Sequence, residues 1–161
     1  MTSPVVTPTT VYVDGDACPV REEIFRVAER LDVNVLVVCN GSRPIAPPRR
    51  PNVSLVIVGK GADEADDWIA ERITPADICV TADIPLASRC LAKSARAVAP
   101  NGKTWTDDNI GAALAGREIA KHLREIGAGS GGPPPLTRAD RSRFLQTLDI
   151  AVRAAIRQQP H

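Results

Sequence analysis

The stretch VYVDGDACPV, residues 11–20, decides the fold. Its three leading apolar residues predict a short buried strand that ends at Asp14, and Pro19 suits the first turn of a helix. A second carboxylate, Asp16, follows two residues later. Two like charges beside a core repel each other, so a cation or a hydrogen-bond donor is expected at this end of the strand to offset the repulsion.

The composition is that of a globular protein without a general affinity for nucleic acid. The chain has 161 residues, of which 43% are hydrophobic, enough for one domain with a full core. The formal net charge is only +1, so a nucleic-acid partner would need a local basic patch.

The cysteines and histidines argue against a zinc site. Cys18, Cys39, Cys79 and Cys90 form no C-x-x-C pair, and the chain has two histidines. The cysteines are expected to have structural roles, although Cys18 at a helix start was the one candidate for a reactive thiol. A reducing cytoplasm is the expected compartment, and no stretch is long and apolar enough to cross a membrane.

Strand and helix signals alternate along the first hundred residues. Strands are predicted where short apolar runs occur, at 10–14, 33–39, 53–59, 77–83 and 95–100. Helices are predicted at 18–32, 62–74 and 84–94. This order predicts an α/β fold with a parallel sheet of about five strands and helices on both faces.

The remainder of the chain is predicted to be helical. Helices are expected over 106–127 and 137–158, separated by a flexible Gly- and Pro-rich loop at 127–136. Residues 1–9 have neither the basic nor the apolar region of a signal peptide and are expected to be a disordered tail. A single domain over 10–158 follows.

Acidic residues cluster where three predicted strands end. Asp14 ends the first strand, Asp83 ends the fourth, and an acidic segment that starts at Asp63 follows the third. Ligands of parallel α/β sheets bind beyond the carboxyl ends of the strands, so these acids are expected at one edge. Asp77 precedes its strand and is expected at the opposite edge.

Each acid alone has a plain structural explanation, because Asp63 or Asp83 could cap the following helix. The cluster is harder to explain in this way. Close carboxylates repel by roughly 4 kcal/mol per pair at an effective dielectric constant of 20, whereas a helix dipole returns roughly 0.3–1 kcal/mol. A hard cation such as Mg²⁺ or Mn²⁺ reverses the balance, so a cation site is favoured over a purely structural cluster.

Five segments carry a family resemblance: DGDACPV, KGADEADDWI, ICVTADIPLA, WTDDNI and GPPPLTRADRSRF. The chain closely resembles the uncharacterised bacterial YaiI/YqxD family from residue 10 to roughly residue 155. The first three segments are also similar to the PIN-like nuclease superfamily, especially its NYN-type branch. That resemblance implies a three-layer PIN-like fold with strand order 3-2-1-4-5 and a helical C-terminal extension.

The resemblance also implies a set of site residues. Asp14, Asp63 and Asp83 match metal-binding acids of PIN-like nucleases, and the helix acid is Asp66 or Asp67, with Asp67 favoured because it lies one turn from Asp63. Asp16 stands where the NYN pattern often has Asn and would orient water. Asp14, Asp16 and Asp83 are therefore the candidate catalytic residues.

Basic residues follow the second predicted strand. Arg43, Arg49 and Arg50 lie in the loop that leaves the acidic edge, and arginine suits phosphate oxygens. They are the candidate substrate-binding residues, with ordinary surface exposure as the alternative. Trp105 could stack a base, although buried packing is the favoured interpretation.

A metal-dependent nuclease acting on RNA is the leading functional hypothesis, with Mg²⁺ or Mn²⁺ as cofactor and RNA or a nucleotide as substrate. One alternative is a phosphatase of the haloacid dehalogenase type, in which Asp14 is the nucleophile and Asp16 the acid/base. Another is a non-catalytic module that binds metal or nucleic acid. The protein could form a homo-oligomer, which the sequence alone does not decide.

Overall fold

The computed structural model describes residues 8–15, 18–41, 49–127 and 135–158. Its centre is a six-stranded sheet with the order β3-β2-β1-β4-β5-β6. The first five strands are parallel, and β6 is antiparallel to β5. The expected order 3-2-1-4-5 is confirmed, with one additional edge strand.

The strands are β1 Thr10–Asp14, β2 Asn34–Asn40, β3 Val53–Val58, β4 Ile78–Val80, β5 Arg96–Val98 and β6 Thr104–Trp105. The helices are α1 Arg21–Leu31, α2 Glu64–Arg72, α3 Ile84–Ala92, α4 Asp107–Glu125 and α5 Arg138–Arg157.

Two hydrophobic clusters cover the two faces of the sheet, as the α/β prediction required. Val11 and Val13 pack with α1 and α5 on one face, while Tyr12 packs with α2, α3 and α4 on the other. Successive side chains of a strand point to opposite faces, so one apolar run serves both clusters. Phe144 of α5 is fully buried in the first cluster.

Gly15 lets the chain leave β1 in close contact with β2. A Cβ atom at this position would lie 2.9 Å from the Cγ1 atom of Val37 and 3.0 Å from the carbonyl oxygen of Val38. Any larger residue would push β2 away from β1. The glycine between the two aspartates therefore has a packing role and fixes where Asp14 lies.

The β5–β6 turn was not predicted, because two residues are too few to produce a strand pattern. Gly102 has a φ angle of +90° there, and a Cβ atom would meet the backbone of Phe144 at 2.9 Å. The turn thus packs directly on α5. Trp105 in β6 is buried, and its indole N–H donates to the carbonyl oxygen of Thr81, which fits the packing interpretation.

Both long C-terminal helices begin at capping boxes. Thr106 and Asn109 exchange hydrogen bonds at α4, and Thr137 and Asp140 do so at α5. These ends match the predicted starts. The predicted loop at 127–136 lies mostly outside the described residues, as does most of the predicted tail at 1–9. Within the described ranges, no helix has the length and apolar character needed to span a membrane.

Asp77 lies at the amino-terminal edge of the sheet, as predicted. Its Oδ1 atom accepts a hydrogen bond from the backbone N–H of Thr10 at 3.0 Å, at the beginning of β1. Its Oδ2 atom accepts bonds from the N–H and the hydroxyl of Thr74 at 2.9 and 2.8 Å. Asp77 is 2% exposed, so its carboxylate is a structural anchor that joins β1 to the turn before β4.

Asp77→Ala should lower the free energy of unfolding by roughly 3 kcal/mol or more, because three donors at a buried site lose their acceptor. The measurement is the urea midpoint by circular dichroism. Asp108→Ala is the matched control, because it removes an exposed carboxylate from the first turn of α4 and should cost no more than about 1 kcal/mol. Equal losses in the two variants would contradict the anchoring role.

Candidate metal-binding edge

Asp14 and Asp83 lie at the carboxyl ends of adjacent parallel strands. β1 and β4 pair directly, with Val13 opposite Val80. Asp14 is the last residue of β1, and Asp83 follows the end of β4 by three residues. The order of the sheet reverses between these two strands, which is where open α/β sheets form ligand crevices.

Thr81 links the two strand ends. Its hydroxyl lies 3.3 Å from the Oδ2 atom of Asp14 and accepts the backbone N–H of Asp83 at 2.9 Å. Thr81 is 2% exposed, so its position is fixed by packing. Thr81 is not among the predicted site residues, although it stands two positions before an aspartate, a spacing typical of a Ser/Thr turn.

Helix capping explains the position of only one of the two carboxylate oxygens of Asp83. The Oδ1 atom of Asp83 accepts the backbone N–H of Leu86 at 2.9 Å and caps α3. Its Oδ2 atom has no hydrogen-bond partner among the described residues. Capping therefore uses one of the two carboxylate oxygens.

Asp63 is exposed and does not cap α2 through its side chain, although it occupies the N-cap position. The segment before Asp63 is attached to the end of β2 by a hydrogen bond. The side-chain amide of Asn40 donates to the carbonyl oxygen of Gly61 at 2.6 Å. Asp63 is thus placed beyond the carboxyl end of β3 without a local structural role for its carboxylate.

The two acids inside α2 have different surroundings. Asp67, the favoured helix ligand, forms an ion pair with Arg89 of α3 at 2.7 Å and is half exposed. Asp66 makes no hydrogen bond or ion pair within the part of the chain that the structure describes. Asp66 is partly buried on the side of α2 toward the other acids, so the structure favours it over Asp67 as the fourth carboxylate of this edge.

Electrostatics identify the same group of four. The pKa of Asp66 is raised from an ordinary value of 3.8 to about 7. Burial is the largest cause, followed by repulsion from Asp83, Asp14 and Asp63, and Arg89 opposes the rise. The name acidic edge is used below for Asp14, Asp63, Asp66 and Asp83.

The acidic edge has the donor chemistry of a hard-cation site but not its closed geometry. Carboxylate oxygens are the ligands that Mg²⁺ and Mn²⁺ prefer. Among the described residues, no three Asp, Glu, His or Cys side chains are gathered closely enough to hold an ion. Asp16, the further candidate, lies outside the described residues.

Of the predicted substrate-binding arginines, Arg50 has contacts within the described residues, and these contacts lie on α1. Arg50 precedes β3 and pairs with Glu29 at 2.9 Å and Glu22 at 3.4 Å, above the ring of Phe25. Arg49 beside it is exposed, and Arg43 lies outside the described residues. The loop leaves the acidic edge but has reached the opposite end of β3 by residue 50.

Arg89 lies close enough to the acidic edge to oppose the rise in the pKa of Asp66. It holds Asp67 through one nitrogen, and its side chain is 45% exposed, so further N–H donors face solvent. Lys93, one turn further along, instead donates to the carbonyl oxygens of Ala70 and Glu71 at the end of α2. Arg89 is thus better placed than Arg50 to meet an anion at this edge.

Cys18 has the properties of a packing residue. Burial raises the pKa of its thiol to about 11, which leaves little thiolate near neutral pH. The expectation of a structural role agrees with this environment.

Comparison with known proteins places the chain among bacterial relatives. The family model described as uncharacterized BCR, YaiI/YqxD family, matches residues 12–154. A UPF0178 protein of Paramagnetospirillum magneticum is 52% identical over 152 residues, which cover 94% of this chain and 99% of the relative. One from Rhodospirillum rubrum is 54% identical over 147 residues, covering 91% and 97%. No solved structure matches the chain significantly.

Asp66→Asn should change the pH dependence of stability in metal-free buffer. Between pH 4 and pH 7 the folded protein keeps a proton on Asp66 that the unfolded chain releases, so this carboxyl lowers stability as pH rises and its penalty is complete above pH 7. The variant should therefore exceed the wild type in melting temperature at pH 8 and match it near pH 4, as measured by thermal denaturation with EDTA.

Asp67→Asn is the matched control one residue away. It removes an exposed ion pair, which contributes about 0–1 kcal/mol, so it should be neutral or slightly destabilising at pH 8. If the two variants gain stability equally at pH 8, the repulsion does not centre on Asp66.

Proposed function

The chain belongs to the YaiI/YqxD family, and from this premise and its acidic edge we propose that it is a metal-dependent nuclease that cleaves RNA. One observation carries the proposal. Asp66 is a partly buried carboxylate without a hydrogen-bond or ion-pair partner in the described chain, and it lies among three further carboxylates. This arrangement costs stability in the free protein, and a bound divalent cation would offset it.

Asp14, Asp66 and Asp83 are the proposed holders of the cation, with Asp63 as an exposed fourth ligand. These side chains are not gathered closely enough in the free protein to hold an ion, so binding would draw them together. When bound, Mg²⁺ or Mn²⁺ would supply an activated water and stabilise charge on the phosphate in an in-line displacement. The Thr81 hydroxyl contacts Asp14 and accepts the backbone N–H of Asp83, so Thr81 is the proposed positioning residue for both. Asp16 keeps its proposed role of orienting water.

Arg89 is the proposed contact to the substrate phosphate. Asp67 orients its guanidinium at the margin of the acidic edge, and the exposed donors suit phosphate oxygens. Phosphate contacts position a strand without reading its sequence, so cleavage should show little sequence preference. In this proposal Asp67 acts through Arg89, whereas Asp66 takes the place of the helix ligand.

The protein should cleave a labelled single-stranded RNA slowly in Mg²⁺ or Mn²⁺, and Asp83→Asn should reduce the rate by at least about 100-fold. Asparagine caps helices as well as aspartate does, so the variant should keep α3 and its fold. The readout is product formation on a denaturing gel, with Asp108→Asn as the folded control.

The same assay separates the alternatives. Divalent cations should raise the melting temperature of the wild type but not that of Asp14→Asn, which tests the cation site without activity. Turnover of a small phosphomonoester with RNA left intact would point to the phosphatase. RNA binding without either reaction would point to the non-catalytic module.

Arg89→Gln should weaken RNA binding several-fold at low salt and lower the slope of log affinity against log salt by roughly one. Arg50→Gln is the matched control, because it loses two ion pairs and a ring contact on α1 and should lower stability by about 1 kcal/mol with RNA affinity unchanged. Fluorescence anisotropy measures both. A larger loss of affinity in Arg50→Gln would return the binding role to the β2–β3 loop.

A further inference from the structure

Helix α4 packs on the protein only through its first turns. Ile110 is buried against α3, and Ala113 and Leu114 pack partly against the same cluster. From Ala115 to Glu125 every residue except Ala120 is exposed. The second half of α4 is therefore a helix without a covering partner in the described chain.

The outward face of α4 has the spacing of a helix that packs on another apolar surface. Its residues are Ala112, Gly116, Ile119, Leu123 and Ile126, with alternating steps of four and three. At about 100° per residue they fall within an arc of roughly 80°, opposite Ile110. Ile119 is 63% exposed, and Ile126 is 62% exposed. This continuous outward stripe is called the α4 stripe below.

An apolar groove of about 270 Å³ lies on the other face of the sheet, between α5 and the strands β5 and β6. Apolar and polar side chains line it: Arg96, Val98, Thr104, Thr147, Ile150, Ala151 and Ala154. Ile150 is 61% exposed in this groove. The helix α4 packs against α3 on the opposite face, so it does not cover the groove of its own chain.

We propose that two copies of this chain form a dimer in which the α4 stripe of each copy lies in the groove of the other. The two surfaces fit helix-in-groove recognition, in which a helix binds a groove through apolar residues that recur at i, i+4 and i+7. Both begin at β6, because Thr104 lines the groove and α4 starts three residues later. A twofold axis near this edge would bring each helix to the partner's groove.

The required area favours reciprocal exchange over a single contact. A stable interface buries roughly 1,200–2,000 Å² in total, and the α4 stripe is only about 22 Å long. One helix in one groove is small by this standard, whereas two symmetric contacts double the buried area. The exchange also covers both uncovered apolar surfaces at once.

Acidic residues on one side of α4 complement basic residues beside the groove. Glu118 and Glu125 lie seven residues apart on one side of α4, roughly 120–140° from the centre of the α4 stripe, whereas Arg124 lies on the other side. Arg96 lines the groove, and Arg157 follows Ile150 by seven residues on α5. Neither arginine forms an ion pair with a described residue, so both are available to a partner's acids.

Sedimentation velocity from about 1 to 100 µM should show a dimer for the wild type. Ile119→Glu and Ile150→Glu should each raise the dissociation constant at least tenfold, since each places a charge in the interface. Ile57→Glu is the control, because Ile57 is 54% exposed on β3 and belongs to neither surface. All three positions are exposed, and circular dichroism verifies the folds.

Disulfide trapping decides the arrangement. A mixture of Ile119→Cys and Ile150→Cys chains should cross-link under mild oxidation, while either variant alone should not. Self-cross-linking of Ile119→Cys would overturn the exchange in favour of α4–α4 pairing. A wild type that stays monomeric at 100 µM, or an Ile57→Glu variant that dissociates as readily as the other two, would overturn the proposal.

Discussion

The position of β1 is the constraint on which the rest of the structure depends. This strand pairs with β2 and β4 and is buried on both faces, so its register fixes both neighbouring strand ends. Gly15 then holds the chain against Val37 and leaves no room for a side chain. Asp14 is consequently placed by close packing between β1 and β2, and Thr81, which follows β4, contacts it. The backbone that carries this carboxylate is therefore fixed beside β4.

Much of the fold could be predicted from the sequence because strands buried on both faces are uninterrupted apolar runs. The edge location of Asp14 and Asp83 followed from strand direction alone, and so did the opposite location of Asp77. The choice between Asp66 and Asp67 could not be made in this way, because adjacent residues differ by about 100° around a helix and only packing fixes the rotation. The ion pairs of Arg50 could not be predicted for a related reason, since the acids of α1 that pair with it are distant in sequence.

The two long helices have similar sequence signals but differ in how they pack on the sheet. The sequence predicts α4 and α5 equally well from their capping residues, yet α5 buries Phe144, Leu148 and Val152, whereas α4 buries only Ile110. The apolar residues of α4 continue on its outward face after the core-facing side has become basic at Arg117 and Lys121. A helix that belonged only to this core would place its apolar residues on the inner side.

Helix capping and charge repulsion compete at the acidic edge, and the structure separates them residue by residue. Capping accounts for one oxygen of Asp83, an ion pair accounts for Asp67, and a threonine hydroxyl contacts Asp14. Asp66 has no hydrogen bond or ion pair in the described chain, and burial followed by repulsion from its neighbours raises its pKa. Burial and repulsion both favour the protonated form, so the site could be relieved by a proton as well as by a cation. A proton removes only the charge of Asp66, whereas a divalent cation would also offset charge on Asp14, Asp63 and Asp83, which is why we propose a metal ligand set.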